Sequence, residues 1–371
     1  MRILQLGKFY PVRGGVEKVM YDLMLGLSGR GVECDMMCAE TAGKGNIYNL
    51  DTGARILTYH TWAKVASTTI APSIINALRA VAGEYDVIHV HHPDPMAALA
   101  LMLSGYKGPV VLHWHADIVK SRHLMRLYGG IQRWLLERAD TIVTTSPVTI
   151  HDSDNLKPYR GKAMCIPIGI KGVTEDAAGA GMLRDRYGCR KIVFSLGRLV
   201  HYKGFRYLVD AARYLPDNYV VLIGGEGPLR GELEQLRDSL GLHGKVFFCG
   251  RIADEDLPMY YTACDIFCLP SVMKTEAFGI VQIEAMSLGK PVVATIIPGS
   301  GTAWVNKQDV SGINVTPGDS LELALALQTV SGNVQSYKMF SHGAKERFDS
   351  EFTLDLMVDR CLALYKNLVK P

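Results

Sequence analysis

Short apolar runs alternate along the whole chain with longer stretches in which apolar residues recur every three or four positions. The runs predict β-strands at 2–6, 33–38, 54–59, 86–91, 110–115, 141–145 and 163–167, then at 192–196, 219–223, 246–249, 266–269 and 292–295. The longer period predicts helices at 16–27, 70–81, 96–103 and 124–138 in the first half, with further helices between the later strands. A last helix over 353–369 carries an apolar stripe at Leu356, Val358, Cys361, Leu362 and Tyr365. Glycine-containing text from 168 to 181 breaks the rhythm and reads as a linker. Strand and helix in strict alternation predict parallel sheets, and 371 residues suffice for two separate cores. The expectation is two doubly wound α/β domains, whose ligands would bind beyond the carboxyl ends of the strands.

Composition narrows the class only a little. Hydrophobic residues make up 48% and charged residues 21%, as in ordinary water-soluble proteins. No apolar run reaches the roughly 20 residues that span a bilayer, and 95–103 reads as a short buried helix. The amino terminus reads as a strand rather than a signal peptide, which leads us to expect a cytoplasmic protein. A net charge of +3 is too mild to imply nucleic acid as a partner. The basic residues are uneven, however. Lys120, Arg122, Arg126, Arg133 and Arg138 interleave with Leu124, Met125, Leu127, Tyr128 and Trp134. Such a helix suits peripheral contact with the anionic inner face of a plasma membrane, or equally a solvated basic surface. The eight cysteines lie mostly in apolar runs; the spacing of Cys34 and Cys38 and of Cys264 and Cys268 is suggestive, but no Cys-x-x-Cys or histidine partner pattern accompanies it, so no metal site is expected.

The candidate chemistry sits at strand ends. After the 266–269 strand, Glu276-Ala-Phe-Gly-Ile-Val-Gln-Ile-Glu284 places one acid in a loop and a second on the following helix, with Phe278, Gly279 and Ile280 at the helix start. Free amides and a positive helix end beside two acids suit a phosphorylated sugar, although two glutamates can also be merely solvated. Gly14 and Gly15 open the first helix, where they allow a phosphate to approach backbone amides or simply satisfy a turn. Arg198 and Lys203 flank a glycine-bounded turn equipped for a diphosphate, or else are surface cations. Gly224-Gly-Glu-Gly227 marks another turn. Arg251, Ile252 and Asp254 end a strand where a nucleobase edge could meet the backbone, with Asp254 also a candidate cap for the next helix. His113 and His115 share one face of their strand, so spacing does not choose between them as a histidine facing ligand. His89, His91 and His92 repeat the pattern one strand earlier. Asp152-Ser-Asp154 matches a cation-binding tripeptide but has no strand to deliver it, and is set aside.

Together, in this order, these segments resemble the retaining GT-B glycosyltransferases with a Glu-x7-Glu signature, of the family 4 type. The resemblance covers nearly the whole chain. It implies a GT-B fold: two Rossmann-like doubly wound domains facing across a cleft, with the carboxy-terminal helix returning to the first. The acceptor-binding domain would be 1–168 plus 354–371, and the nucleotide-sugar domain 169–353. Arg198 and Lys203 would bind the donor diphosphate, assisted by amides near Gly15, Phe278 and Gly279. Glu276 would contact the transferred sugar, Glu284 the ribose, and His115 the donor sugar or reaction centre. Ala277 departs from the family pattern, which often has a small polar residue there. The chain is further similar to bacterial enzymes assembling O-antigen or capsule, often mannosyltransferases. The resemblance implies transfer of a hexose, mannose from GDP-mannose, to a lipid-linked or oligosaccharide acceptor, with no cofactor beyond the nucleotide-sugar donor substrate. A sugar-phosphate-directed synthase and a non-catalytic nucleotide-sugar-binding protein are the competing readings.

Overall fold

In the computed structural model, all residues are described except 42, 66–67, 119–121 and 370–371, with the backbone alone at Val65 and 122–127. Two units form: Met1–Ile170 with Leu354–Pro371, and Lys171–Thr353. The first unit contains strands β1 (Arg2–Tyr10), β2 (Glu33–Glu40), β3 (Ile47–Asn49), β4 (Arg55–His60), β5 (Ala63–Val65), β6 (Thr68–Ile70), β7 (Val87–His92), β8 (Val110–Trp114), β9 (Thr141–Thr144) and β10 (Ala163–Cys165). Eight of them form one sheet in the order β10-β9-β8-β7-β1-β2-β4-β3, parallel except for β3, while β5 and β6 pair separately. The second unit holds β11 (Lys191–Leu196), β12 (Tyr219–Gly224), β13 (Val246–Gly250), β14 (Ile266–Leu269), β15 (Val292–Thr295) and β16 (Gly312–Val315). Their order is β13-β12-β11-β14-β15-β16, all parallel. Both units are Rossmann-like. Helices cover both faces, which is why β7, β8, β12, β14 and β15 are buried at every residue, β12 and β14 reading as unbroken apolar runs while β7 and β8 carry buried histidines.

Local chemistry sets the element ends. The helix Pro95–Ser104 starts where Asp94 accepts the Met96 and Ala97 N–H groups and Pro95 pre-sets the first turn; it stops at left-handed Gly105. Three expectations are corrected, and a fourth falls partly outside the described residues. The helix expected from 70 starts at Ser73, because Thr68–Ile70 pairs as β6 and Pro72 stands at its cap. The linker text ends early, since Asp176 caps a helix over Ala177–Tyr187 by accepting the Gly179 N–H. The basic segment forms the helix Arg122–Arg138, but Lys120 and the side chains of Arg122, Leu124, Met125, Arg126 and Leu127 lie outside the described residues. In the terminal helix Leu354–Leu368 the buried stripe is Met357, Val358, Cys361, Leu364 and Tyr365. That stripe follows the helical period more closely than the one expected, and leaves Leu356 and Leu362 half-buried.

The terminal helix packs on the helix Val16–Ser28. A Cβ at Gly26 would lie 2.4 Å from Val358 Cγ2, so glycine lets the two backbones approach. Arg30 adds contacts to Asp355 (2.8 Å) and Asp359 (2.6 Å), which are partly exposed and worth little beside the packing. Beneath it, the same sheet face carries buried Gln5, His89, His91, His113 and His115. On the other face His92 stacks on Trp114 at 3.7 Å. Burial pushes the His92 and His113 rings down to about 3, and drives His89, His91 and His115 well below the ordinary histidine range.

Two outcomes are expected. The unfolded chain takes up protons at these five rings below about pH 6.5, whereas the folded unit resists protonation well below that, down to about 3 at His92 and His113. Their contribution to stability is complete above pH 6.5 and is lost as pH falls, by up to about 1.4 kcal/mol per pH unit for each ring. Denaturant melts at pH 7.5 and 5.5 should show a steep loss; equal stabilities would refute neutral burial. Second, Gly26→Ala should destabilise by about 1–2 kcal/mol through overpacking against Val358, despite a helix-propensity gain of about 1 kcal/mol. Adding Val358→Ala should cancel part of that loss, which a double-mutant cycle measures.

Candidate functional site

In a doubly wound sheet the loops leave in opposite directions where the strand order reverses, and a crevice opens there. The second unit reverses between β11 and β14. After β11, residues 197–204 form a tight turn. Gly204 is left-handed (φ 67°) and a Cβ there would fall 1.9 Å from Pro270 O, so this turn presses against the end of β14. The Val272 N–H donates to Tyr202 O at 2.8 Å and locks the two loops together. This places Lys203 Nζ 2.5 Å from Glu276 Oε2, with the two side chains only 12% and 11% exposed. Ser271 Oγ donates to the same carboxylate at 3.2 Å. A half-hidden ion pair of this kind needs such extra hydrogen bonds to offset its desolvation.

Neighbouring turns complete the crevice floor. A Cβ at Gly225 would lie 2.0 Å from Gly197 O, and one at Gly227 2.4 Å from Leu199 O. The glycines after β12 are therefore there for close backbone approach, not merely for a turn. A Cβ at Gly197 would lie 3.1 Å from Lys203 Cε, so the residue preceding Arg198 lies against the lysine stem. Arg198 is exposed, and its guanidinium has no hydrogen bond or ion pair among the described residues. Gly279 is left-handed (φ 77°) and caps the helix Ile280–Ser287, three residues after Glu276. Phe278 turns its ring into the core, meeting Phe352 edge-on at 5.9 Å, so only its backbone faces the loop. Glu284 accepts a 2.5 Å hydrogen bond from Tyr261 Oη, which fixes its carboxylate on the second helical turn.

Arg251, Ile252 and Asp254 line a 320 Å³ pocket with Ala253 and Glu255. Ile252 Cδ1 reaches to 2.6 Å from where a Gly224 Cβ would be, placing this pocket against the end of β12. Asp254 does not cap the next helix. That helix is Leu257–Ala263, with Asp256 at its cap position, and Asp254 sits exposed in the turn before it.

In the first unit the reversal falls between β1 and β7. Gly14 and Gly15 have φ of 122° and 66°, and Gly15 stands at the cap of Val16–Ser28. A Cβ at Gly14 would meet nothing within 4 Å, so backbone conformation and not crowding requires glycine there. Lys8, itself at φ 62°, donates its backbone N–H to Asp94 Oδ2 and its ammonium to Pro93 O, both at 2.5 Å. Burial lowers the Lys8 ammonium against the opposing pull of Asp94. His115 follows β8 and is buried. Asp117 is engaged by Trp114, Ser153 and Asn155, and Asp154 pairs with Lys157, so neither is arranged as a cation ligand.

Sequence reasoning passed over the alcohols that hold the Glu276 loop. Thr295 Oγ1 donates to Ser271 O, Ser300 Oγ to Glu276 O, and Thr302 Oγ1 to Thr295 O. Scattered hydroxyls carry no spacing signal. Lys8 was equally invisible, because its role depends on a residue 86 positions away.

A family model described as Glycosyltransferase Family 4 matches residues 13–171, and one described as Glycosyl transferases group 1 matches 185–347. The chain is 31% identical over 377 residues to O-antigen chain mannosyltransferase C of Escherichia coli, covering 100% of this chain and 99% of that one. It is 30% identical to D-rhamnosyltransferase WbpZ of Pseudomonas aeruginosa, covering 95% and 92%. Its fold matches sucrose-phosphate synthase from Thermosynechococcus elongatus with a TM-score of 0.81 at 22% identity, covering 99% of each chain. HepE from Anabaena in complex with UDP matches at 0.79 and 22%, covering 99% and 100%. Signatures on both units, near-complete coverage by relatives of 30% and 31% identity, and the shared architecture agree. The chain belongs to the family 4 glycosyltransferases, with the GT-B fold and a group 1 carboxy-terminal domain.

Proposed function

We propose that this enzyme moves mannose from GDP-mannose to a hydroxyl of a lipid-linked or oligosaccharide acceptor in bacterial surface polysaccharide synthesis, with retention at the anomeric carbon. The observation that carries this reading is the Lys203–Glu276 pair at the reversal of the second sheet, beside Ser271 and ahead of the helix that starts after Gly279. A cation there suits a diphosphate, and a carboxylate beside it suits the hydroxyls of the attached sugar. Arg198, exposed and unpaired among the described residues, adds a second cation for the leaving group. Gly14 and Gly15 offer open backbone to a phosphate, Glu284 takes the ribose, Arg251, Ile252 and Asp254 border the base, and His115 meets the transferred sugar. Mannose is favoured by the E. coli relative, and also by relatives named as phosphatidyl-myo-inositol mannosyltransferases in mycobacteria.

In this reading, glycosidic cleavage builds negative charge on the diphosphate and positive character on the sugar. Lys203, Arg198 and the amides at Gly279 stabilise the former without requiring a metal or other cofactor. The departing phosphate takes the proton of the incoming hydroxyl on the same face, so no separate general base is assigned. No helix among the described residues is long and apolar enough to cross a membrane. We infer a cytoplasmic enzyme meeting its lipid-linked acceptor at the inner membrane face through the basic helix Arg122–Arg138.

Arg198→Ala should lower turnover at saturating donor by about two decades or more. Unchanged turnover would remove Arg198 from the chemistry. In a thermal-shift screen of GDP, UDP and ADP sugars, GDP-mannose should raise the unfolding midpoint most, by the equivalent of about 2.7 kcal/mol at one hundred times its dissociation constant. A larger shift with a UDP or ADP sugar would reassign the donor.

A further inference from the structure

Five side chains on one face of the first sheet form a continuous hydrogen-bonded run whose direction follows atom by atom. His91 and His115 are buried and neutral, so each ring carries a single proton. His91 Nε2 lies 2.8 Å from Gln5 Oε1, an oxygen that only accepts. The His91 proton is therefore on Nε2 and its Nδ1 is bare. That Nδ1 lies 3.0 Å from His115 Nε2, so His115 donates through Nε2–H and keeps a bare Nδ1. On the other side of the amide, Gln5 Nε2 donates to Tyr365 Oη at 3.4 Å and to Cys34 Sγ at 3.7 Å. The Tyr365 hydroxyl then donates to His89 Nδ1 at 2.5 Å. Tyr365 comes from the terminal helix, so the run links both ends of the chain to the end of β8.

The same rings raise the question of a metal. Nitrogens of His91, His113 and His115 come within 4.8 Å of one another. Their planes, however, are stacked within 27° of parallel, with centroids 4.0 to 5.3 Å apart. Both His91 nitrogens are already engaged, one by Gln5 and one by His115, so an ion there would have to displace one of those hydrogen bonds. His115 Nδ1 has no hydrogen-bond partner among the described residues, so a buried acceptor awaits a donor.

We propose that Gln5, His91 and Tyr365 are positioning residues that fix the tautomer of His115, so that its Nδ1 accepts a hydrogen bond from a hydroxyl of the transferred sugar. This rests on the reading of His115 as the histidine that meets that sugar. A hydroxyl can donate to a bare Nδ1, whereas an Nδ1–H would demand an acceptor from the ligand. The tautomer thus selects the polarity of one ligand contact, and the terminal helix becomes part of the device that sets it.

Long-range proton–nitrogen correlation spectra of the full-length, histidine-labelled protein read each ring directly, with His115 assigned by loss of its signals in His115→Gln. The wild type should show His115 as the Nε2–H tautomer alone. Gln5→Met removes the fixed acceptor at similar volume, and Tyr365→Phe removes one oxygen that orients the amide. Both should give mixed tautomers at His115 and lower turnover by about twofold or more, in proportion to the misprotonated fraction, while donor KM stays within about twofold. A wild-type His115 protonated on Nδ1 overturns the proposal without any variant. So does an unchanged His115 spectrum in both variants, or zinc retained stoichiometrically with metal-shifted His91 and His115 signals. A tautomer change with unaltered turnover supports the relay and instead overturns the assignment of His115 to the sugar.

Discussion

Each sheet reverses its winding once, and that reversal is the constraint on which the rest depends. Between β1 and β7, and again between β11 and β14, neighbouring strands send their following segments to opposite faces and leave a gap above their carboxyl ends. Both gaps are bridged between a lysine at or just past the end of the first strand and an acid from the loop after its neighbour, though by different groups. In one unit the Lys8 backbone N–H donates to Asp94 while its ammonium donates to Pro93 O; in the other the Lys203 ammonium pairs with Glu276. Topology puts the segments side by side; a backbone hydrogen bond ties them in the first unit and an ion pair in the second.

The two bridges differ in what surrounds them. Asp94 is committed to the backbone on both oxygens, accepting from Lys8 on one and from Met96 and Ala97 on the other. That bridge is architecture. Glu276 accepts from Lys203 and Ser271 through a single oxygen, Oε2, and sits where the loop meets a helix start. The first unit instead concentrates its polar chemistry below the surface, in neutral imidazoles whose burial leaves them sensitive to acid.

Much of the fold was legible because buried parallel strands are continuous apolar runs. β16 escaped because Gly312–Val315 contains buried Asn314, whose side-chain amide is satisfied by Asn306 and Ala303 rather than by solvent. The short pairs β3 and β5–β6 lack enough residues to show a period. Among site residues, the types and strand-end positions of Arg198, Lys203, Glu276 and Glu284 were readable from spacing and resemblance. Their partners were not. Tyr261, Ser271 and Ser300 look like ordinary polar residues until folding brings them to Glu284 and the Glu276 loop. Gln5 and Tyr365 are 360 positions apart, a separation no local pattern spans.

The Glu276 loop has an uneven tolerance for change. Its carbonyls at Ser271 and Glu276 are held by buried alcohols, and Gly301 N–H holds the carbonyl of Ala277 at 2.8 Å. Removing any of these donors strands an acceptor away from water, so the rim resists drift. Met273, at the tip, gives its carbonyl to the Glu276 N–H at 2.9 Å but exposes its side chain. Natural variation in this enzyme therefore has room to accumulate in the side chain at 273, three residues from the key carboxylate, altering what approaches it while the scaffold beneath stays unchanged.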